Sequence, residues 1–162
     1  MEKVVFALLA TITLVAAFRV VTSRVLLHSA FWLVLAFFGV AGVFVLLHAE
    51  FLAVAQVLIY VGAIAILMIF AIMLSRNMAS QSERQFNNQW GLVGGFSALL
   101  FVSLTAIVTR VQWPGRTSEV PPDALQQLGI ELVGPYAVPF EVASVLLVIA
   151  MVGAIIIARE RE

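Results

Sequence analysis

The chain has 162 residues, of which 63% are hydrophobic and 11% charged, and its formal net charge is zero. A soluble domain holds about 45–50% apolar and about 25% charged residues, so an ordinary water-soluble fold is excluded. Zero net charge also excludes the basic patch that a nucleic-acid partner would need, and the absence of cysteine excludes disulfides and thiolate-held zinc or iron–sulfur clusters.

A hydrocarbon core about 30 Å thick needs roughly 20 apolar residues in a helix rising about 1.5 Å per residue. Five runs meet that need, and they predict an all-α integral membrane protein with one membrane domain over 1–162. The first runs from Val4 to Phe18 and reaches Val21 if Arg19 snorkels to the headgroups. No convincing cleavage pattern precedes Arg19, so this run reads as a span rather than a leader. The second covers Ser29 to Leu47, and only His48-Ala49-Glu50 separates it from the third, Phe51 to Leu74. A polar, amide-rich loop from Ser75 to Trp90 leads to the fourth, Gly91 to Val108. Residues 109–139 hold all five prolines (Pro114, Pro121, Pro122, Pro135, Pro139) and are expected to be irregular and outside the hydrocarbon. The fifth span is Phe140 to Ala158. Trp32, Trp90 and Trp113 stand near predicted helix ends, where amphipathic rings favour the headgroup level.

Basic residues set the expected orientation. Loop one–two, loop three–four and the C-terminus share one side and hold Arg19, Arg24, Arg76, Arg84, Arg159 and Arg161. The other side holds Lys3, Arg110 and Arg116. The positive-inside rule then puts the N-terminus outside and the C-terminus in the cytoplasm.

The sequence contains no phosphate loop, dinucleotide fingerprint or nucleophile–base spacing. His28 and His48 fall at opposite ends of the second span, where they cannot share a metal, and they read as interfacial histidines. No ionisable Asp, Glu, Lys, Arg or His lies near the middle of any run. A chain that carries protons by itself keeps such groups at depth, so this one is a poor main proton carrier.

Two polar side chains do enter the third span. Gln56 and Tyr60 are four apart and share a helix face, and Tyr60 lies about 14 Å past Phe51, near mid-membrane. They are open to two readings: ordinary hydrogen bonding between helices, or a hydrated, switching element. Gly62, Ala63 and Ala65 follow and admit close approach. Gly91 and Gly95 form a small-xxx-small pair that favours helix packing. Glu50 and Glu141 open the third and fifth spans, where the helix dipole stabilises a carboxylate.

Three segments resemble a known family. EFLAVAQVLIYVGAIAILMIFAIML (Glu50 to Leu74) is similar to the third helix of the J subunit of respiratory complex I, also called the mitochondrial chain 6 family. PFEVASVLLVIAMVGAIIIARERE (Pro139 to Glu162) resembles that family's last helix, and SRVLLHSAFWLVLAFFGVAGVFVLL (Ser23 to Leu47) its second. Together they cover about 75 of the 162 residues, and QVLIYVGAI is the specific core. Many relatives carry Asn-Pro before the second helix, where this chain has Val25-Leu26-Leu27.

The resemblance implies a membrane-arm subunit of proton-translocating NADH:quinone oxidoreductase, a translocase subunit with no active site of its own. It would couple quinone reduction to proton pumping in the bacterial cytoplasmic membrane. NADH, flavin, iron–sulfur clusters and quinone would belong to other subunits, and this chain would bind no cofactor or metal. Its partners would be other membrane-arm subunits and lipid. The family's third helix can carry a π-bulge near the tyrosine that matches Tyr60, and its return to α-helix is proposed to open or close a water path. Tyr60, Gly62 and Gln56 are then the coupling residues, with Glu50 and Glu141 as interfacial acids. Two other readings are an equivalent subunit of a ferredoxin- or hydrogen-dependent relative, and a freestanding transporter or assembly factor.

Overall fold

A computed structural model describes residues 1–75, 89–111, 121 and 123–159. Arg76, Arg84, Trp113, Pro114, Arg116, Pro122 and Arg161 lie outside them, so four of the nine charges behind the expected orientation do too. The chain forms two compact units, residues 1–118 and 119–162.

In the first unit, α1 (Glu2–Thr22) and α2 (Leu26–Leu46) form a hairpin, α3 (Glu50–Leu74) returns along α2, and α4 (Trp90–Arg110) follows. The second unit holds α5 (Ala124–Val133) and α6 (Ala137–Ala158). The described residues contain five helices long and apolar enough to cross a membrane: α1, α2, α3, α4 and α6. Each is extended by one to three residues at one or both ends of the predicted run, apart from α2, which starts three earlier and ends one sooner.

Small residues bring α1 and α2 together. Ala16 is wholly buried, and Ala30, Ala36, Gly39 and Ala41 are buried on α2. A Cβ on Gly39 would overlap the Thr13 hydroxyl and lie 3.3 Å from Thr13 Cα, and one on Gly42 would press on Leu9 Cδ2 at 3.0 Å. Thr13 donates its hydroxyl to the Leu9 carbonyl at 2.8 Å, so its polar atom is satisfied within its own helix. Backbones meet here because two glycines remove the side chains between them, the ordinary basis of packing in lipid. By contrast, a Cβ on Gly91, Gly94 or Gly95 would meet nothing within 4 Å. The close packing expected at Gly91 and Gly95 is not made among the described residues.

The turn from α2 to α3 is a Schellman motif. Ala49 N–H donates to Phe44 O at 2.9 Å and His48 N–H to Val45 O at 3.0 Å. His48 takes the left-handed position with φ 55°, where glycine is usual. Left-handed backbone costs an L-residue about 1–2 kcal/mol. His48→Gly should therefore make the α2–α3 hairpin harder to unfold by about 1 kcal/mol, and the β-branched His48→Val should do the opposite. Titration of the solubilised protein with a denaturing detergent, followed by proteolysis at the turn, reads both; equal midpoints for all three would contradict this account.

Two sequence expectations need correction. Residues 109–139 are not irregular throughout, because α5 occupies Ala124–Val133. Its three leucines, Leu125, Leu128 and Leu132, were masked by the surrounding prolines. The last helix starts at Ala137 rather than Phe140, so Pro139 sits within its first turn. There a proline is tolerated, since the first amides of a helix have no intrahelical acceptor. Glu141 consequently falls beyond the first turn, which holds no acidic residue.

Among the described residues, none of α4 is buried within the first unit and none of α6 within the second. Their hydroxyls turn inward on their own backbones: Thr105 to Phe101 O and Thr109 to Thr105 O, both at 2.8 Å, and Ser144 to Phe140 O at 3.0 Å. These surfaces present apolar atoms outward, as lipid and neighbouring helices require.

Candidate functional site

The third span is not one regular helix. Glu50–Ala55 is α-helical, Gln56–Ala65 is π-helical, and Ile66–Leu74 is α-helical again. The π segment contains the whole QVLIYVGAI core. In a π-helix each amide bonds five residues back rather than four, which widens the turn.

The buried face of α3 records this change. It runs Ala53, Gln56, Val61 and Ala65, in steps of three, five and four. An α-helix advances about 100° per residue, so Val61 would point about 140° away from Gln56 in regular geometry. The wider turn brings Val61 and Ala65 back towards α2. Local sequence does not demand this: Ile59, Val61 and Ile64 are β-branched and stiff. Packing against α2 accounts for it, because small Ala65 and Val61 let the two backbones lie close.

Gln56 is 8% exposed and is the only buried polar side chain among the described residues. It stands where the α portion ends and the π portion begins. Tyr60 lies at the edge of the same interface, 45% exposed. Phe37 of α2 meets it edge to face, with ring centroids 5.4 Å apart and planes at 71°. That is a favoured aromatic geometry, worth about 0.5–1.5 kcal/mol beyond burial. Phe37 was not singled out from the sequence, since one more Phe in an apolar run carries no signal; only the fold pairs it with Tyr60.

Gly62 faces away from α2 and is exposed. A Cβ there would meet only the Val57 carbonyl oxygen, at 3.4 Å. The π segment itself therefore accepts a side chain at this position. Glu50 is exposed in the first turn of α3, six residues before Gln56. Gln56, Tyr60 and Gly62 thus share one segment, Glu50 marks that helix's start, and Glu141 belongs to the second unit.

The arrangement has one chemical capacity. It holds a buried amide and a half-exposed phenol beside a π-helical turn. Restoring α geometry would turn Val61 and Ala65 away from α2 and bring Ala63 round to within about 20° of Gln56.

Residues 16–157 match the family model described as NADH-ubiquinone/plastoquinone oxidoreductase chain 6. The chain is 40% identical over 160 residues to an organellar chromatophore NAD(P)H-quinone oxidoreductase subunit 6 from Paulinella chromatophora, covering 96% of this chain and 76% of that one. It is 38% identical to NAD(P)H-quinone oxidoreductase chain 6 of Synechocystis sp., over 98% of this chain and 81% of that one. It is also 35% identical to F(420)H(2) dehydrogenase subunit J of Methanosarcina mazei, over 98% of this chain and 92% of that one.

Proposed function

Because the chain belongs to the NADH-ubiquinone/plastoquinone oxidoreductase chain 6 family, we propose that its third span is a moving part that couples quinone reduction to proton pumping. The chain is a multi-pass membrane subunit of a quinone oxidoreductase complex, and its partners are other subunits of that complex. In this reading it stands in the membrane arm and carries no redox centre or active site; the electron donor, flavin, iron–sulfur clusters and quinone belong to its partners. Its N-terminus faces outward and its C-terminus the cytoplasm of a bacterial cell, following the basic residues.

The observation that carries the coupling role is the π-helical segment Gln56–Ala65 in mid-span. Such segments concentrate at functional sites. Interconversion with α geometry turns everything beyond the segment relative to what precedes it. Val61 and Ala65 leave the α2 face, the Phe37–Tyr60 contact is remade, and the space beside Gln56 changes. A water path past Gln56 and Tyr60 is opened or closed without any titratable group at depth in this chain. Protons are then carried by other subunits and gated by this one.

A second reading has its own observation. Similarity to F(420)H(2) dehydrogenase subunit J over 98% of the chain favours the same role in a complex fed by a donor other than NADH. The soluble subunits that co-purify with the chain decide between donors.

Tyr60→Phe removes one hydroxyl and keeps the ring against Phe37. A hydrogen bond of this kind contributes about 0.5–1.5 kcal/mol, so turnover should fall roughly two- to tenfold while assembly stays intact. Native gels and quinone-reduction rates in membranes measure both. Wild-type turnover, or a chain that runs free of any large assembly, would contradict the coupling role.

A further inference from the structure

We propose that α5 is an interfacial helix that lies along the bilayer surface, sunk into the boundary between headgroups and acyl chains. It depends on the membrane assignment alone and holds whether or not the π segment gates a water path.

The length of α6 locates its neighbour. Twenty-two residues, Ala137–Ala158, span about 33 Å at 1.5 Å each, which fills a hydrocarbon core of about 30 Å. With Arg159 at one edge, Ala137 stands at the other. Residues 134–136 alone join α5 to α6, and three residues reach at most about 10 Å. The end of α5 is thus held at headgroup level, wherever the rest of the loop goes.

The join is also structured. Gly134 N–H donates to Ile130 O at 2.9 Å, Tyr136 N–H to Glu131 O at 2.9 Å, and Ala137 N–H to Gly134 O at 3.1 Å. A Cβ on Gly134 would press on the Ile130 carbonyl at 3.0 Å, so this close turn suits glycine. Tyr136 is exposed at the junction, at the level where amphipathic rings gather.

The surface of α5 fits an apolar medium with a polar edge. Asp123, Gln126, Gln127 and Glu131 lie on one side of the helix, within an arc of about 140° at 100° per residue. The opposite side is apolar, with Leu128 and Leu132 half-buried and Leu125 62% exposed, while Ile130 falls within the polar arc and Val133 beside it, 63% and 76% exposed. A polar side opposite an apolar one is the pattern of a helix that lies in the interface plane with its apolar face sunk towards the acyl chains. The segment contains no Lys or Arg, so attachment comes from apolar burial and not from anionic headgroups.

The test uses the whole complex in phosphatidylcholine vesicles, with the photoreactive benzoylphenylalanine substituted at Leu125, Leu128 or Gln127. Irradiation should add lipid mass to this chain from the first two positions at several times the yield from Gln127. Vesicles containing phosphatidylglycerol should give the same pattern. A crosslink from Leu125 and Leu128 to another subunit would overturn the assignment in favour of a protein partner. Equal lipid yield from all three positions, or no lipid adduct from any, would overturn it as well. Gly134→Leu, which crowds the turn, should lower the ratio of apolar to polar yields.

Discussion

Gly39→Leu should leave the membrane nearly free of assembled complex. Even a single added Cβ at Gly39 overlaps the Thr13 hydroxyl and approaches Thr13 Cα to 3.3 Å. A full leucine side chain cannot turn aside, because Ala36 and Ala41 flank it in the same buried surface. The helices must separate, and overpacking of this kind costs about 1–3 kcal/mol. The loss is felt strongly because so little of this chain buries against itself: no residue in the spanning windows of α4 or α6 is buried. The α1–α2 crossing is its main internal joint. Thr13→Gly in the same chain should restore part of the assembly by vacating the space that the leucine needs. Blue native gels with an activity stain measure this directly. Normal assembly of Gly39→Leu, or no recovery in the double variant, would show that the crossing is not what holds the hairpin.

Gly62→Leu should assemble normally yet turn over about tenfold more slowly, a difference of about 1.4 kcal/mol. The π segment accepts a Cβ at Gly62, since the nearest atom is the Val57 carbonyl oxygen at 3.4 Å. Gly62→Ala should accordingly behave like wild type. A leucine projects further, away from the face that packs on α2. If the segment has to turn between π and α registers, that bulk is swept round with it at every cycle. The Ala/Leu contrast therefore separates a moving helix from a static one. Quinone reduction and proton translocation in sealed vesicles, with and without an uncoupler, measure the split. Fully assembled Gly62→Leu enzyme with unchanged turnover and pumping would make Tyr60 and Gly62 packing residues.

Much of this was legible in the residues. Apolar runs bounded by Arg, Trp and Pro placed five spans to within three residues at either end, because the thickness of the hydrocarbon sets one length for all of them. The site was half legible. Gln56 and Tyr60 stood out as polar residues in an apolar run, and Gly62 as a gap beside them. Phe37, Thr13 and Gly39 did not stand out, since each matters only through the residue it meets on another helix. Gly91 and Gly95 stood out as a packing pair, yet among the described residues it is Gly39 and Gly42 that meet another helix.

By itself, the sequence determined the medium and the number of crossings, because transfer of apolar area and satisfaction of backbone amides are additive along the chain. It also marked α5 too weakly to be noticed: ten residues among prolines carry less hydrophobic signal than any span. Tertiary structure decided the register of the third helix. Its β-branched residues favour no particular bulge, and the five-residue step from Gln56 to Val61 exists where the turn meets the face of α2. A π turn widens one helix at the expense of its own geometry, so a neighbour must hold it, and that neighbour lies some twenty residues away in the sequence, at Phe37.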